Sequence, residues 1–546
     1  MNAKRTSFAG NVLMMMAAQL LIKVLGLVYR LVILNIDGFG DVGNGYYSAG
    51  YQVYAVLLIL SSQGIPGAVS KLVSDRVALG EYRRAHWVFK VSLYLVGFIG
   101  LVVSLLLLVF ADFIAAGILK VPEVAYVLRV LAPAIFFVCV SAVIRGYFAG
   151  LGTMAANSTS QPLEQFFNCV LTILFVYAMA GREPYIMAAA GNVSTTLAVL
   201  ISFSYLIIFY KRNIGKFTED SDEEVQKDRA SALRLAKVVL FTAIPLTIGS
   251  LISVITSFID TITVSNCIQI AYRPILHEKA LLEMEAMRAT GILNKVDTLV
   301  NLPLAINLAF YSVLIPELTG LIAVGDRKGA ADKITSSLSV SSLIIMPCAA
   351  GFIVLADPIL HMLYPNAPDG ALVLQISAIT MIFVALGHTL QGALFGVGRM
   401  YTPAAALGIG SIIKIILNLI LIRDPRIGMY GAVISSLICQ LLTFTIIVVV
   451  LRKSIRFKVD RVKTIWAPAG ASLLMGFAIL LLRHLMGPRI GNTVVTLVCI
   501  LTGVIIYGLI IALLRVFTPE EIRALPMGGR LYALLLKLGI YREKTA

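Results

Sequence analysis

Fourteen stretches of this chain are each long and apolar enough to cross a bilayer, and that recurrence limits the fold more than any other feature. They run at about 11–34, 46–73, 86–110, 124–150, 157–181, 185–210, 236–264, 294–323, 334–359, 370–397, 402–422, 427–451, 463–483 and 493–516. About 20 apolar residues in a helix span the hydrocarbon core. Inside lipid an α-helix satisfies every backbone donor and acceptor within the segment itself. The expected fold is an all-α polytopic membrane protein of about 14 transmembrane helices. Composition agrees, because only 14% of the 546 residues are charged, against about 25% in a typical soluble protein.

The net charge of +16 invites a nucleic-acid reading. Its distribution argues against one, since the basic residues cluster in short linkers, as membrane topology demands. Lys4 and Arg5 precede the first span. Arg76, Arg83 and Arg84 lie in the second linker, and Lys211, Arg212, Lys216, Lys227, Arg229 and Arg234 in the sixth. Arg327, Lys328 and Lys333 lie in the eighth, and Arg452 to Lys463 in the twelfth. The first linker holds acids only, Asp37 and Asp41. Both termini are therefore expected in the cytoplasm. The seventh linker, about thirty residues around His277 to Glu285, is the exception in carrying Arg273, Lys279 and Arg288. The start has the layout of a signal peptide, but Lys23 interrupts it, so it reads as a retained first helix. The six cysteines are scattered without a CxxC pair, which indicates neither a disulfide framework nor a metal site.

The chain repeats itself. Ala78-Leu-Gly-Glu81 matches Ala323-Val-Gly-Asp326, and Ala111-Asp112 matches Ala356-Asp357, both at an offset of 245. Arg145-Gly-Tyr-Phe-Ala-Gly150-Leu-Gly152 matches Gln391-Gly-Ala-Leu-Phe-Gly396-Val-Gly398 one residue further apart. A near-constant offset at three places points to two pseudo-symmetric six-helix halves, residues 1–210 and 236–453. Residues 211–235 would be a cytoplasmic linker, 454–518 the two C-terminal helices and 519–546 an amphipathic tail on the inner leaflet. Duplicated halves imply a transporter that rocks about a cavity between them.

The first span carries Gln19, Lys23, Gly26 and Arg30 on one helical face. A cation at bilayer depth costs at least ~2.5–3.5 kcal/mol, so this stripe should face a wet or protein-lined interior. A plainer reading has Arg30 snorkelling to an interface and Lys23 paired with an acid on a neighbour. In the seventh span Gly249, Ser253, Ser257 and Asp260 share a face. Either they line a cavity, or the serines bond their own helix and Asp260 sits at an interface. Lys414, with Asn418, lies inside the eleventh span. Arg145 and Glu164 lie nearer cytoplasmic ends, where an interfacial ion pair is equally open. Asn294, Lys295 and Asp297 open the eighth span and fit a solvated helix end, whereas Asn301 and Asn307 do not. Gly64, Pro66, Gly67 and Pro303 are candidate kinks, since Pro removes a donor and Gly loosens the backbone. No HExxH, P-loop or grouped Ser/His/Asp is present, so the chain is not expected to be an enzyme.

The run Lys23-Val-Leu-Gly26-Leu-Val-Tyr-Arg30, then Gly64-Ile-Pro-Gly67-Ala-Val-Ser-Lys71 and Gly80-Glu-Tyr, resembles the stage V sporulation protein B branch of polysaccharide exporters. That branch belongs with MurJ-type lipid II flippases in the multidrug/oligosaccharidyl-lipid/polysaccharide superfamily. The resemblance implies outward flipping of an undecaprenyl-diphosphate-linked cell-wall precursor, lipid II of peptidoglycan first among them. Cavity cations would meet the diphosphate. It places Lys23 at a cavity arginine of the first helix and Arg30 one residue beyond another. Asp297 falls near an acid–arginine pair of the eighth helix, with Thr298 in the arginine's place and Lys295 two residues before the acid. Gln63 stands near an acidic position of the second helix. The last two helices would form a groove for the prenyl tail.

The expected partners are the lipid-linked oligosaccharide, membrane lipids and cell-wall synthases, with no nucleic acid. No cofactor is expected, and membrane potential or a monovalent cation at Glu164, Asp260 or Asp297 would couple transport. A multidrug extruder of the same superfamily, or an exporter of another lipid-linked polysaccharide unit, is the alternative. An extruder of cationic drugs should favour acids over Lys23 and Arg30. A membrane glycosyltransferase or polymerase would need a carboxylate or metal site, for which the seventh linker is the one plausible home.

Overall fold

The computed structural model describes residues 8–215, 229–487 and 491–514, with Gly529, Ala533 and Leu536 of the tail. Lys4, Arg5, the acidic linker stretch 218–224, the rest of the 519–546 tail and the side chains of Gln19 and Ser253 lie outside the described residues. The helices are α1 (Phe8–Ile33), α2 (Gly40–Leu58), α3 (Ile65–Ala78), α4 (Tyr82–Asp112), α5 (Val124–Gly150), α6 (Ala155–Ala178), α7 (Pro184–Asn213) and α8 (Arg229–Tyr272). They continue with α9 (Lys279–Ala323), α10 (Arg327–Leu363), α11 (Ala371–Gly396), α12 (Thr402–Leu421), α13 (Tyr430–Ser454), α14 (Ala467–Met486) and α15 (Asn492–Leu513). Single π-helical stretches at Ile59–Gln63, Phe113–Leu119 and Val462–Trp466 adjoin α2, α4 and α14.

Every one of the fourteen apolar stretches falls on helix. Among the described residues, 11 helices are long and apolar enough to cross a membrane, which makes this a multi-pass membrane protein. Apolarity alone thus accounts for eleven of the fourteen expected spans. Of the three expected spans outside that set, α6 is interrupted by Gln161, Glu164, Gln165 and Asn168, while α1 and α9 each include side chains outside the described residues.

The seventh linker departs most from expectation. α8 runs on to Tyr272 and α9 begins at Lys279, leaving residues 273–278 between them. Lys279 and Arg288 there are exposed, while Leu282, Glu283, Ala286, Met287, Ala289 and Ile292 are buried. Asp41, read from sequence as a linker acid, is buried near the start of α2.

The passage Gly40–Ala78 is broken in its middle. Ser61 and Ser62 donate to the carbonyls of Leu57 (2.8 Å) and Leu58 (2.7 Å) where the helix loosens into its π turn. The helix restarts at Ile65 with Pro66 in its first turn, where a missing N–H costs nothing. A Cβ on Gly64 would lie 2.3 Å from the Ala243 carbonyl of α8, so only glycine permits this approach. Gly67 follows in the first turn of α3, whereas Pro303 lies inside α9, whose helix continues through it.

The sequence repeat is also a repeat of conformation. Gly80 and Gly325 end their helices at φ +78 and +79, and Gly152 and Gly398 at +83 and +82. The amides of Glu81 and Asp326 each donate back five residues, to Arg76 and Leu321, at 2.9 Å. This is a glycine-terminated helix end in which the left-handed residue lets the next amide satisfy a late carbonyl.

Contacts group the chain into two compact units: Met1–Leu299 with Leu407–Ser435, and Val300–Ala406 with Ser436–Ala546. In the first, α5 packs on α2, α3, α4 and α7, and α1 packs on α6. Gly146 and Gly150 let α5 approach the backbone of α3, where added Cβ atoms would lie 2.8 and 2.7 Å from the Pro66 and Ser70 carbonyls. Val264, Cys267 and Ile268 of α8 pack with Ala286, Ala289, Ile422 and Ala432. In the second unit, Leu314, Leu318, Ile334, Leu390, Leu394, Ile447 and Phe457 form the main core. There α14 and α15 pack on each other and on α10, and Tyr507 donates to the Leu343 carbonyl at 2.9 Å.

Candidate functional site

α1 has two faces. Leu21, Val24, Val28 and Val32 are exposed at three- and four-residue spacing, a surface suited to lipid. Tyr29 and Ile33 are buried, and Gly26 lies against Gln165 of α6. Lys23, Gly26 and Arg30 therefore sit away from the lipid-type stripe. Arg30 is half-buried and reaches α9. Its Nη1 donates to Thr298 Oγ1 at 2.6 Å, to the Asn294 side chain and to the Asn294 carbonyl at 3.4 Å. Its Nε donates to the Tyr29 hydroxyl at 3.3 Å. Lys23 is exposed, and among the described residues it makes no hydrogen bond or ion pair.

Aromatic rings line this region. Tyr29 and Tyr47 stand 6.4 Å apart. Tyr51 lies within electrostatic reach of Tyr29, Arg30 and Glu164. Glu164 of α6 is held by Arg145 of α5, Nη2 to Oε2 at 2.8 Å. Arg145 also donates to Ser160 at 2.9 Å and to Ser202 of α7 at 3.0 Å. One guanidinium thus ties three helices together, using the several donors that only arginine carries. Sequence alone left an interfacial pairing open, and the structure pairs these two residues with each other.

A second buried pair joins α8 to α12. Lys414 Nζ lies 2.6 Å from Asp260 Oδ2 and donates to the Thr256 carbonyl at 3.2 Å. Asn418, one turn on, donates to Asp260 Oδ1 at 3.0 Å and to Thr263 at 2.8 Å. Asp297 of α9 is within electrostatic reach of Asp260, Lys414 and Arg30. All seven charged residues singled out from sequence, Lys23, Arg30, Arg145, Glu164, Asp260, Asp297 and Lys414, belong to one compact unit.

A third pair was missed. Lys295, expected at a solvated helix end, is wholly buried, with its Nζ 2.7 Å from Asp41 Oδ1. Asn44 donates to the Gly291 carbonyl beside it at 2.7 Å. The two helices touch backbone to backbone, since a Cβ on Gly45 would sit 1.9 Å from the Met287 carbonyl and one on Gly291 1.8 Å from that of Asp41. Glycines near charges that interrupt two spans were the available signal. Tyr51, Ser160 and Ser202 left none, because nothing in their own segments marks them.

Ahead of the apolar part of α9, Glu283 is buried, 3.3 Å from Lys279. Burial first, and then the charge of Glu123, push its carboxyl above the ordinary carboxylate range.

The family model described as "Polysaccharide biosynthesis protein" matches residues 8–322. Stage V sporulation protein B of Bacillus subtilis (strain 168) is 24% identical over 545 residues, covering 97% of this chain and 99% of that protein. The lipid II flippase MurJ of the same organism is 23% identical over 482 residues, covering 85% of this chain and 86% of its own. A solved structure of lipid II flippase MurJ in an inward closed conformation matches at TM-score 0.68 and 16% identity, covering 90% of this chain and 97% of that one. At that identity the structural likeness speaks for the fold, which is shared.

Proposed function

Because the chain belongs to the polysaccharide biosynthesis protein family, we propose that it is a flippase that moves an undecaprenyl-diphosphate-linked cell-wall precursor, lipid II of peptidoglycan, outward across the cytoplasmic membrane. It acts as a carrier and not as a catalyst, with both termini in the cytoplasm. A relative named for lipid II flipping supports the choice of cargo.

One observation carries the reading. Three interior cations of this unit are neutralised at contact distance, Arg145 by Glu164, Lys295 by Asp41 and Lys414 by Asp260, and Arg30 is hydrogen-bonded to the uncharged side chains of Thr298 and Asn294. Lys23 is left over, exposed on the side of α1 away from the lipid-type stripe. Set against the exposed acid Asp297, Lys23 and Arg30 leave one interior cation in excess, which suits an anionic head group better than a cationic drug. Charge-assisted hydrogen bonds to a diphosphate are about twice as strong as neutral ones. The duplicated halves, residues ~1–210 and ~236–453, alternate the cavity between faces by rocking. Membrane potential, negative inside, contributes ~2.3 kcal/mol per charge per 100 mV to outward movement of an anion. It drives the cycle without a dedicated ion site.

The test is flipping of fluorescent lipid II in proteoliposomes, with and without an imposed potential. Lys23→Ala should flip severely more slowly, and Lys23→Arg should keep a good part of the rate, since a single charge contact needs no fork. Wild-type flipping by Lys23→Ala under both conditions overturns recognition by charge.

A further inference from the structure

Asp41, Glu164 and Asp260 are each held by a cation at 2.8 Å or less. Asp297 differs from them. Its side chain is exposed, and among the described residues it makes no hydrogen bond or ion pair. It lies within electrostatic reach of Asp260, which repels it, and of Lys414 and Arg30, which attract it. Its neighbour Thr298 accepts from Arg30 at 2.6 Å, which fixes the spacing between α1 and this turn of α9.

We propose that Asp297 is a built-in competitor for the anion of the cargo: a tethered carboxylate that offsets the cationic face of α1 when the carrier is empty and limits how tightly the diphosphate is held. The inference rests on the reading of this unit as a diphosphate carrier. Two requirements of such a carrier motivate it. An empty carrier must swing its site back to the first face, and a cation with no compensating charge is costly at that depth. A loaded carrier must let go, and binding that is tight at every stage of a cycle does not speed it. A carboxylate beside Arg30 answers both. It stands in for the anion when the site is empty, and it repels the diphosphate when the site is full, because like charges in a partly dehydrated site interact strongly. Since Lys414 and Asp260 neutralise each other, the charge of Asp297 bears chiefly on α1.

The test measures binding of inorganic pyrophosphate to the purified full-length protein, together with the KM and kcat of lipid II flipping. Asp297→Asn should bind pyrophosphate about tenfold more tightly, ~1.4 kcal/mol, with KM and kcat both lowered because release slows. Asp297→Glu keeps the charge and should stay near wild type in all three quantities. A merely structural residue would not tighten binding when replaced. Unchanged or weaker binding by Asp297→Asn, with the wild-type protein binding normally, overturns the inference and leaves the carrier reading standing. If Asp297→Asn does not fold, loss of pyrophosphate binding in Asp297→Glu with an unchanged thermal midpoint overturns it equally. If the wild-type protein binds no pyrophosphate and Lys23→Ala flips at the wild-type rate, the carrier reading falls, and this inference falls with it.

Discussion

Lys295 and Asp41, 254 residues apart in the chain, meet as an ion pair of 2.7 Å with the lysine wholly inaccessible to solvent. They lock the start of α2 to α9 where Gly45 and Gly291 bring the two backbones into contact. A buried pair of this kind is worth little against an apolar replacement, but breaking it from one side is expensive. Asp41→Ala should therefore destabilise the protein by ~3–5 kcal/mol, because Lys295 keeps a buried charge. The double variant Asp41→Leu/Lys295→Met should recover most of the loss. Thermal midpoints in detergent check this, and equal midpoints for single and double variants would contradict it.

The glycine contact gives a second expectation. Gly45→Ala and Gly291→Ala each force a methyl group into a backbone carbonyl and should sharply lower both yield and thermal midpoint. Gly387→Ala should not, since a Cβ there meets nothing within 4 Å and alanine favours helix by ~1 kcal/mol. Similar behaviour of all three would mean that the close approach is absent.

Exposure of Lys23 can be read by chemistry. In a background lacking the six native cysteines, Lys23→Cys should react with a small membrane-impermeant thiol reagent in at least one state of the carrier. Ile33→Cys, buried on the same helix, should stay protected, and Val28→Cys, on the lipid-type stripe, should react poorly. Protection at residue 23 in every state, with loop controls labelled, removes the cavity-facing assignment.

Glu283 predicts a pH effect. Its carboxyl titrates above the ordinary range because of burial and then the charge of Glu123. The folded state therefore binds this proton more tightly than the unfolded state. The stability it contributes is complete below the unfolded pKa and is lost as pH rises through the raised folded value. Glu283→Gln should abolish that loss and leave the protein more stable than wild type at neutral pH. Denaturation across pH 4 to 8 would show it, and parallel curves for the two proteins would refute it.

Much of this molecule was readable before any coordinates. Apolar runs and their lengths placed helix at every expected span, and the spaced pairs Gly80/Gly325 and Gly152/Gly398 proved to be matching helix ends. The stripe of Lys23, Gly26 and Arg30 was visible because helical periodicity is a property of neighbouring residues. The reading failed at residues 279–293, where charge was taken for loop. Ala286 and Ala289, packed with Val264, Cys267 and Ile268 of α8, hold that stretch helical, and such packing is invisible one segment at a time.

The sequence by itself determined that the chain crosses a membrane as helices, that its glycine-ended motifs recur at a near-constant offset, and that charges stand inside its apolar spans. Each of these depends on composition and spacing over a few turns. Only the tertiary structure decided which group holds each charge. Lys414 finds Asp260 across 154 residues, Lys295 finds Asp41 across 254, and Arg30 finds Thr298 across 268. In a medium that cannot solvate an ion, a charge is tolerated according to its nearest partner, and the folded chain chooses that partner through helix packing rather than sequence distance. That is why Lys295, plain in the sequence, becomes part of the scaffold, while Lys23 stays exposed.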